Sequence, residues 1–415
     1  MLDPNIIRKE PERVRAGIAS KGYDPALTDR FLDADQKWRA AVKRTDELRA
    51  ALNQLSRERK IDEAKKVKTE LAAADEACAA RAKERDALLE QFPNLPEEGW
   101  PVGKSEAENV VVREVGKKPN FKFPPKDYLS LAQNLGIIDT ERAAKVAGSR
   151  FGYLLGEAAL LEFALVQFAF ETLAKKGFRP VIPPVMLRPE AYRGMGRLNA
   201  KDMEERYFLP KDGLYLAGSA EHTIGPMHMD ETFDHTTLPL RYAGFSTCFR
   251  REAGSYGKDT KGILRVHQFD KVEMFSFAAQ ETSKHEHEFL LSCQEELMQT
   301  IRLPYRVVKV CTGDMGFPDA AQYDIEAWLP SEGRYRETHS CSNTTDFQAR
   351  GLTIKYRPTS NHQPPTSHFV HMLNATACAI GRTLIAIFEN YQTKDGGIEV
   401  PKVLRKYLSC KVIKS

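Results

Sequence analysis

Between Phe249 and Glu273 the chain gathers groups suited to binding polyanions and small amines. An apolar run from Leu240 to Phe249 ends in Arg250, Arg251 and Glu252. Gly254, Gly257 and Gly262 then alternate with Lys258, Lys261 and Arg265, and Val266, Phe269 and Glu273 close the stretch. The pattern reads as two strands, Leu240 to Phe249 and a second carrying Val266, Phe269 and Glu273, joined by a cationic loop. A guanidinium fork matches phosphate oxygens. Glycines let a loop close over a ligand, and an aromatic face offers a base something to stack on. A carboxylate at the far end can hold an ammonium or a hydroxyl. These groups describe a site for ATP and a small amino-bearing molecule.

The 415 residues suffice for a large core and favour two or more domains. Lys plus Arg number 61 against 57 Asp plus Glu, a net charge of +4. That balance does not announce a nucleic-acid partner, so any such surface must be a local patch. The 7 cysteines contain no C-x-x-C pair and read as ordinary thiols in a reducing compartment. No apolar run is long enough for a membrane helix, and the first residues show neither signal nor transit pattern. The expectation is a soluble cytoplasmic protein with no membrane partner.

The elements that must position the site fall in two regions. Leu27, Ala34, Ala41, Leu48 and Leu55 repeat every seventh residue, as do Phe31, Trp38, Thr45 and Leu52. Two interleaved rows give the seam of a coiled coil. Ala64, Leu71 and Cys78, with Val67, Ala74 and Leu88, continue more weakly, because Arg81 and Arg85 fall on the inward rows. The pattern predicts an antiparallel hairpin with helical arms of about 30 residues, or about 45 Å, starting near Pro25 and turning near 57–62. Prolines and glycines between Pro93 and Gly103 form a linker, placing the domain boundary at 104, with domains 1–104 and 105–415. Beyond it, Asn109–Val115 reads as a strand, and Tyr128–Leu135 and Ser149–Lys176 as helices. Pro183 and Pro184 confine the following strand to an edge or interface. Strands near Tyr207–Leu209, Tyr215–Leu216, Tyr305–Lys309, Tyr323–Trp328 and Tyr335–His339 complete a mostly antiparallel set, and Asn374–Tyr391 reads as a buried helix. The fold class is α+β.

The run R-x-E-A-G-S-x-G-x-D-T-x-G-x-x-R-x-H-Q-F-D-K-V-E from Arg250 to Glu273 resembles motif 2 of class II aminoacyl-tRNA synthetases, the seryl-tRNA synthetases in particular. Residues 177–187 resemble motif 1, residues 334–343 the family's Arg-Glu-x-Ser-Ser-Cys-Ser-Asn, and residues 373–392 motif 3. The resemblance covers essentially the whole chain. It implies a homodimer that activates L-serine with ATP and Mg²⁺ and passes it to serine tRNA bound across the dimer, with selenocysteine tRNA also charged where that tRNA exists. It implies that Arg250 clamps the α-phosphate and the substrate carboxylate. Glu252 would meet the adenine amino group, Phe269 would stack on the ring with Val266 beside it, and Arg251, Thr338 and His339 would belong to the same ATP set. Arg265 and Arg382 fall to the γ-phosphate side. Glu337 and Ser340 would ligate Mg²⁺, hard oxygens for a hard ion. Ser219, Ala220, Glu221, Glu273 and Thr376 would surround the serine. Arg57, Arg59, Lys60, Lys65, Lys66 and Lys68 at the hairpin tip would grip tRNA phosphates.

Some residues depart from the family pattern: Ser219 replaces a threonine, His339 stands where serine is usual, Ala375 where glycine is common, and Thr376 supplies the pocket hydroxyl. They motivate a rival reading as a non-catalytic paralogue, against which Arg250, Glu252, Glu273, Glu337, Ser340 and Arg382 all remain. A zinc enzyme is the other rival, prompted by His222, His228, His235, His285 and His287, but their spacings fit no tetrahedral site. No zinc is expected.

Overall fold

The fold is that of a computed structural model, which describes residues 1–253, 261–358 and 367–414, the side chains of 200 and 201 aside. Gly254, Gly257 and Lys258 of the cationic loop lie outside the described residues. The chain divides into two compact units, Met1–Leu95 and Pro96–Ser415.

The first unit opens with α1 (Pro4–Lys9), which Asp3 caps by accepting from the Asn5 N–H, and α2 (Pro11–Ser20). Two long helices follow, α3 (Leu27–Arg57) and α4 (Ile61–Leu89). Pro25 sits in the turn before α3 and not in its first turn. The heptad rows of α3 face inward, with Leu27, Phe31, Ala34, Thr45 and Leu48 buried. The tip carries no glycine because Arg59 itself takes the left-handed conformation, φ 60°. Of the two arginines on the weak rows of α4, Arg81 points to solvent and bonds Glu84. Arg85 does lie inward, its guanidinium 3.7 Å from the centre of the Trp38 ring. A cation on that row is tolerated because an aromatic face replaces part of its hydration.

In the second unit, eight strands of the described residues form the main sheet. They are β1 (Val110–Val115), β2 (Arg179–Val181), β3 (Leu240–Phe249), β4 (Gln268–Ala278), β5 (Tyr305–Lys309), β6 (Ala321–Leu329), β7 (Arg334–Asn343) and β8 (His371–Ala379). Their order is β1-β5-β6-β7-β8-β4-β3-β2. All neighbours are antiparallel except β2, which runs parallel to β3 at the edge. Three helices pack on the sheet: α5 (Glu157–Ala174), α6 (Ser283–Ile301) and α7 (Ile380–Asn390). Leu161, Leu165 and Phe168 of α5, Leu290 and Leu297 of α6, and Leu384, Ile387 and Phe388 of α7 share one core with Val272, Met274 and Ile325 of the strands.

The sequence pattern misassigns four stretches. The helix expected from Ser149 begins only at Glu157, because Tyr153–Leu154 pairs as a strand with Ile138–Asp139 and Gly156 breaks the chain at φ 52°. The helix expected from Asn374 is strand β8 as far as Ala379, since an apolar central strand and a buried helix look alike in sequence. Val266 precedes β4 and is not part of it. Phe208–Leu209 and Leu214–Leu216 belong to a separate small sheet with Met186–Leu187.

Candidate active site

The site opens where two central strands part. β7 and β8 pair only through Cys341–Ala375, Ser342–Asn374 and Asn343–Leu373. Beyond that point Ser340 and Thr376 have separated, and Gln294 of α6 fills the gap, its Nε2 donating to both of their carbonyls at 2.8 Å. The parted strands, β4 and the start of α7 enclose a cavity of about 250 Å³. Arg250, Glu252, Val266, Phe269, Glu337, Thr338, Ser340, Thr376 and Arg382 all line it. A larger space of about 630 Å³ shares Arg250, Glu252, Glu337 and Ser340 with it and adds Glu221 and Asn374.

Arg250 follows β3 directly. Its backbone N–H donates to His267 O at 3.0 Å, and its Nε donates to Gly218 O at 3.1 Å. Its guanidinium carbon stands 5.3 Å from the Phe269 ring centre, so cation and aromatic face border the same space. Glu252 adopts φ 51°, an uncommon conformation for a non-glycine residue, and its carboxylate lies 3.5 Å from Arg265 Nη1. Gly262, at φ +75°, is required where the loop returns, because a Cβ there would collide with the Tyr128 hydroxyl, which accepts from the Ile263 N–H. Arg382 comes from the first turn of α7 and meets Glu337 from β7, Nη1 to Oε2 at 3.1 Å. Burial resists ionisation of Glu337, but Arg382 first, then Arg250 and Arg265, hold its carboxyl below the usual range. Arg250 and Arg382 thus act on one carboxylate from different elements.

The acidic end is built on β4 and on the segment after the small sheet. Lys271 and Glu273 are two apart on β4 and share a face, with Nζ and Oε2 2.5 Å apart. Thr376 is the cross-strand partner of Glu273 and donates to its Oε2 at 3.4 Å. Burial pushes the Glu273 carboxyl up, Lys271 pulls it back, and Glu221 adds a further upward push. Its Oε1 is buried with no hydrogen-bond partner among the described residues. Glu221 is opposed by burial too, yet Arg197 and His222 keep it well below the carboxylate range.

Other residues expected here point elsewhere. His339 is buried on the far side of β7, its Nδ1 2.7 Å from Thr338 Oγ1, and does not line either space. Arg251 turns to Tyr207, 5.1 Å from its ring centre, with Nε on Arg206 O. Ser219 is buried and its hydroxyl accepts from the Glu221 N–H, while Ala220 packs in a core with Ile224 and Phe275. Ala375 faces the main core, opposite Asn374 and Thr376, so its methyl does not crowd the cavity floor. Conversely, Lys271, Arg197, Arg206 and Asn374 line the site without having been singled out in the sequence. Strand alternation from Glu273 finds Lys271, and alternation from Thr376 finds Asn374; nothing local marks the two arginines.

An antiparallel sheet bearing an Arg-x-Glu strand end, a returning aromatic strand and an arginine in the first turn of a following helix defines a class II aminoacyl-tRNA synthetase core. Residues 207–391 match the family model described as tRNA synthetase class II core domain (G, H, P, S and T), and residues 1–96 match the seryl-tRNA synthetase N-terminal domain. A serine–tRNA ligase of Acidothermus cellulolyticus is 46% identical over 100% of this chain and 99% of its own. A solved seryl-tRNA synthetase from Pyrococcus horikoshii, complexed with ATP, superposes with a TM-score of 0.93 at 39% identity, covering 100% of this chain and 99% of its own. A cytoplasmic serine–tRNA ligase of Naegleria fowleri, in complex with AMP, gives 0.90 at 34% over the same shares. The chain belongs to the seryl-tRNA synthetase family.

Proposed function

We infer that this chain is a serine–tRNA ligase, and the observation that carries the reading is the convergence of Arg250, Phe269, Glu337 and Arg382 on one cavity beside two buried carboxylates. ATP lies with its adenine against Phe269 and Val266, Glu252 at the amino group, and its phosphates toward Arg265 and Arg382. Serine lies with its carboxylate near Arg250 and its ammonium and hydroxyl near Glu221, Glu273 and Thr376. Glu273 Oε1, buried without a partner among the described residues, is the acceptor for the hydroxyl; alanine would leave it unpaired, and that loss discriminates against alanine.

The serine carboxylate attacks the α-phosphorus, pyrophosphate leaves, and seryl-adenylate remains. The 3′-terminal hydroxyl of the tRNA then attacks the seryl carbonyl and AMP departs. Positioning and fixed positive charge supply most of the acceleration, with no covalent help from a side chain. Glu337 and Ser340 suit Mg²⁺: both are oxygen donors on the cavity wall, and Asp324 stands opposite Ser340 on β6, its carboxyl pushed well up by burial and by Glu337. Mg²⁺ held by Glu337 and Ser340 would supply positive charge against the phosphates.

The helical hairpin supports tRNA binding through Arg57, Arg59, Lys60, Lys65, Lys66 and Lys68, all exposed. Lys60 pairs with Glu58 at 2.8 Å and Lys65 with Asp62 at 3.9 Å, contacts that an exposed site exchanges readily for phosphate. A cytoplasmic homodimer is the assembly the family resemblance favours. Leu160 and Phe163 on α5 and Ile182 after β2 are 53%, 67% and 71% exposed, apolar surface that a second copy would cover. Among the described residues no helix is long and apolar enough to cross a membrane. The test is charging: pure protein, ATP, Mg²⁺, labelled serine and serine tRNA should yield acid-precipitable seryl-tRNA, with alanine and threonine giving none. Absence of charging would overturn the reading.

A further inference from the structure

Glu221 is held more elaborately than a surface acid needs. Arg197 Nη2 and His222 Nε2 both lie 3.1 Å from its Oε1. At the other edge of the imidazole, Nδ1 is 2.8 Å from the Tyr192 hydroxyl and 3.1 Å from the Gly218 nitrogen. One tautomer satisfies both edges. A carboxylate oxygen can only accept, so Nε2 carries the proton of the neutral ring; Nδ1 is then bare and accepts from the Tyr192 hydroxyl, with the Gly218 nitrogen 3.1 Å from both Nδ1 and Tyr192 Oη. Tyr192, His222 and Glu221 are all buried, and burial, outweighing the pull of Glu221, brings the imidazole pKa down to about 3. The ring is therefore neutral in any working buffer and behaves as a fixed donor. The Gly218 carbonyl at the same turn accepts from Arg250 Nε, which ties this group to the α-phosphate clamp.

We propose that Tyr192 and His222 are positioning residues that aim the Glu221 carboxylate at the substrate ammonium. Two donors on Oε1 stop the carboxylate from rotating and leave Oε2 for the ligand. Tyr192 acts through His222 by fixing the ring plane and the tautomer, as outer hydrogen-bond partners do for metal-bound histidines. Neither residue lines the cavity of about 250 Å³ assigned to the nucleotide, and His222 borders only the larger space, beside Glu221. Their contribution should therefore appear in serine binding and not in ATP binding. The inference rests on the serine–tRNA ligase reading above.

Serine-dependent exchange of pyrophosphate into ATP tests it, using full-length His222→Phe, His222→Gln and Tyr192→Phe. Losing a hydrogen bond to a charged group predicts a serine KM roughly 10- to 100-fold higher for His222→Phe, with the ATP KM within about twofold. His222→Gln keeps an N–H and should recover most of the loss. Tyr192→Phe should raise the serine KM by roughly 3- to 10-fold, and add little on top of His222→Phe, because the two act as one unit. An unchanged serine KM in His222→Phe, or serine and ATP constants rising together without rescue by glutamine, overturns the proposal. Should His222→Phe not fold, Tyr192→Phe decides alone, an unchanged serine KM being the contrary result. Unaltered protein that shows no serine-dependent exchange contradicts the enzyme reading itself, so the two failures are distinguishable.

Discussion

Arg382 occupies a place that helix electrostatics alone would refuse. It sits in the first turn of α7, where the macrodipole is positive and a cation costs about 0.3–1 kcal/mol. Glu337 offsets that cost in the absence of ligand, and a polyphosphate would offset it further. A second residue-scale case is Glu162 on α5, whose carboxyl burial and the neighbouring Asp270 push up to about 8. Unfolded, the group titrates near the ordinary value of 4.5. Between those values the folded chain holds a proton that the unfolded chain has lost, so this group's contribution to stability declines as pH rises toward 8 and is level above it. Glu162→Gln should therefore raise Tm at pH 8.5 relative to the unaltered protein and change it far less at pH 5, measured by calorimetry. An equal shift at both values would contradict the assignment.

At the scale of elements, the cavity depends on β7 and β8 parting after three cross-strand pairs and on Gln294 bridging the break. Gln294→Leu keeps volume but strands two buried carbonyls, a loss of about 1–3 kcal/mol for each unsatisfied group. We expect a lower Tm together with weaker serine binding and weaker Mg²⁺-dependent ATP binding, because Ser340 and Thr376 are the residues released. Calorimetry and titration with a non-hydrolysable ATP analogue would check this; intact binding with full stability would refute it. This scale also shows what the sequence could and could not reveal. The strand Leu240–Phe249 and the hairpin arms were legible to within a residue or two, since alternation and heptads are local signals. The strand at 371–379 was not, because it is buried on both faces and its apolar run has no period. The places of His339, Ala220 and Ala375 were hidden for a related reason. A motif names neighbours along the chain, but the pleat sends every second side chain to the opposite face.

Over the whole molecule, net charge says little, and the groups proposed for chemistry and for tRNA fall in different units. The groups we assign to catalysis belong to Pro96–Ser415, whereas the exposed cations of the hairpin tip belong to Met1–Leu95. If the tip holds phosphates, its contribution is counterion release, so affinity for tRNA must fall with salt. Replacing Arg57, Lys66 and Lys68 by alanine should reduce the slope of log Kd against log salt by about 0.7–0.9 for each phosphate no longer neutralised. Serine-dependent pyrophosphate exchange, which needs no tRNA, should be unchanged in the same protein. An unaltered salt slope would remove the tip from the binding surface.

The most direct test of the site as a whole is that exchange reaction in Arg250→Gln and Arg382→Gln beside the unaltered protein. Each guanidinium is assigned to charge that builds on the phosphates, and losing one such donor costs about 100- to 1,000-fold in rate. The unaltered protein should exchange pyrophosphate into ATP with serine and not with alanine, and both variants should fall by at least about 100-fold while melting normally. Full exchange in either variant, or none in the unaltered protein at saturating serine and ATP, would contradict a single nucleotide held between these two arginines.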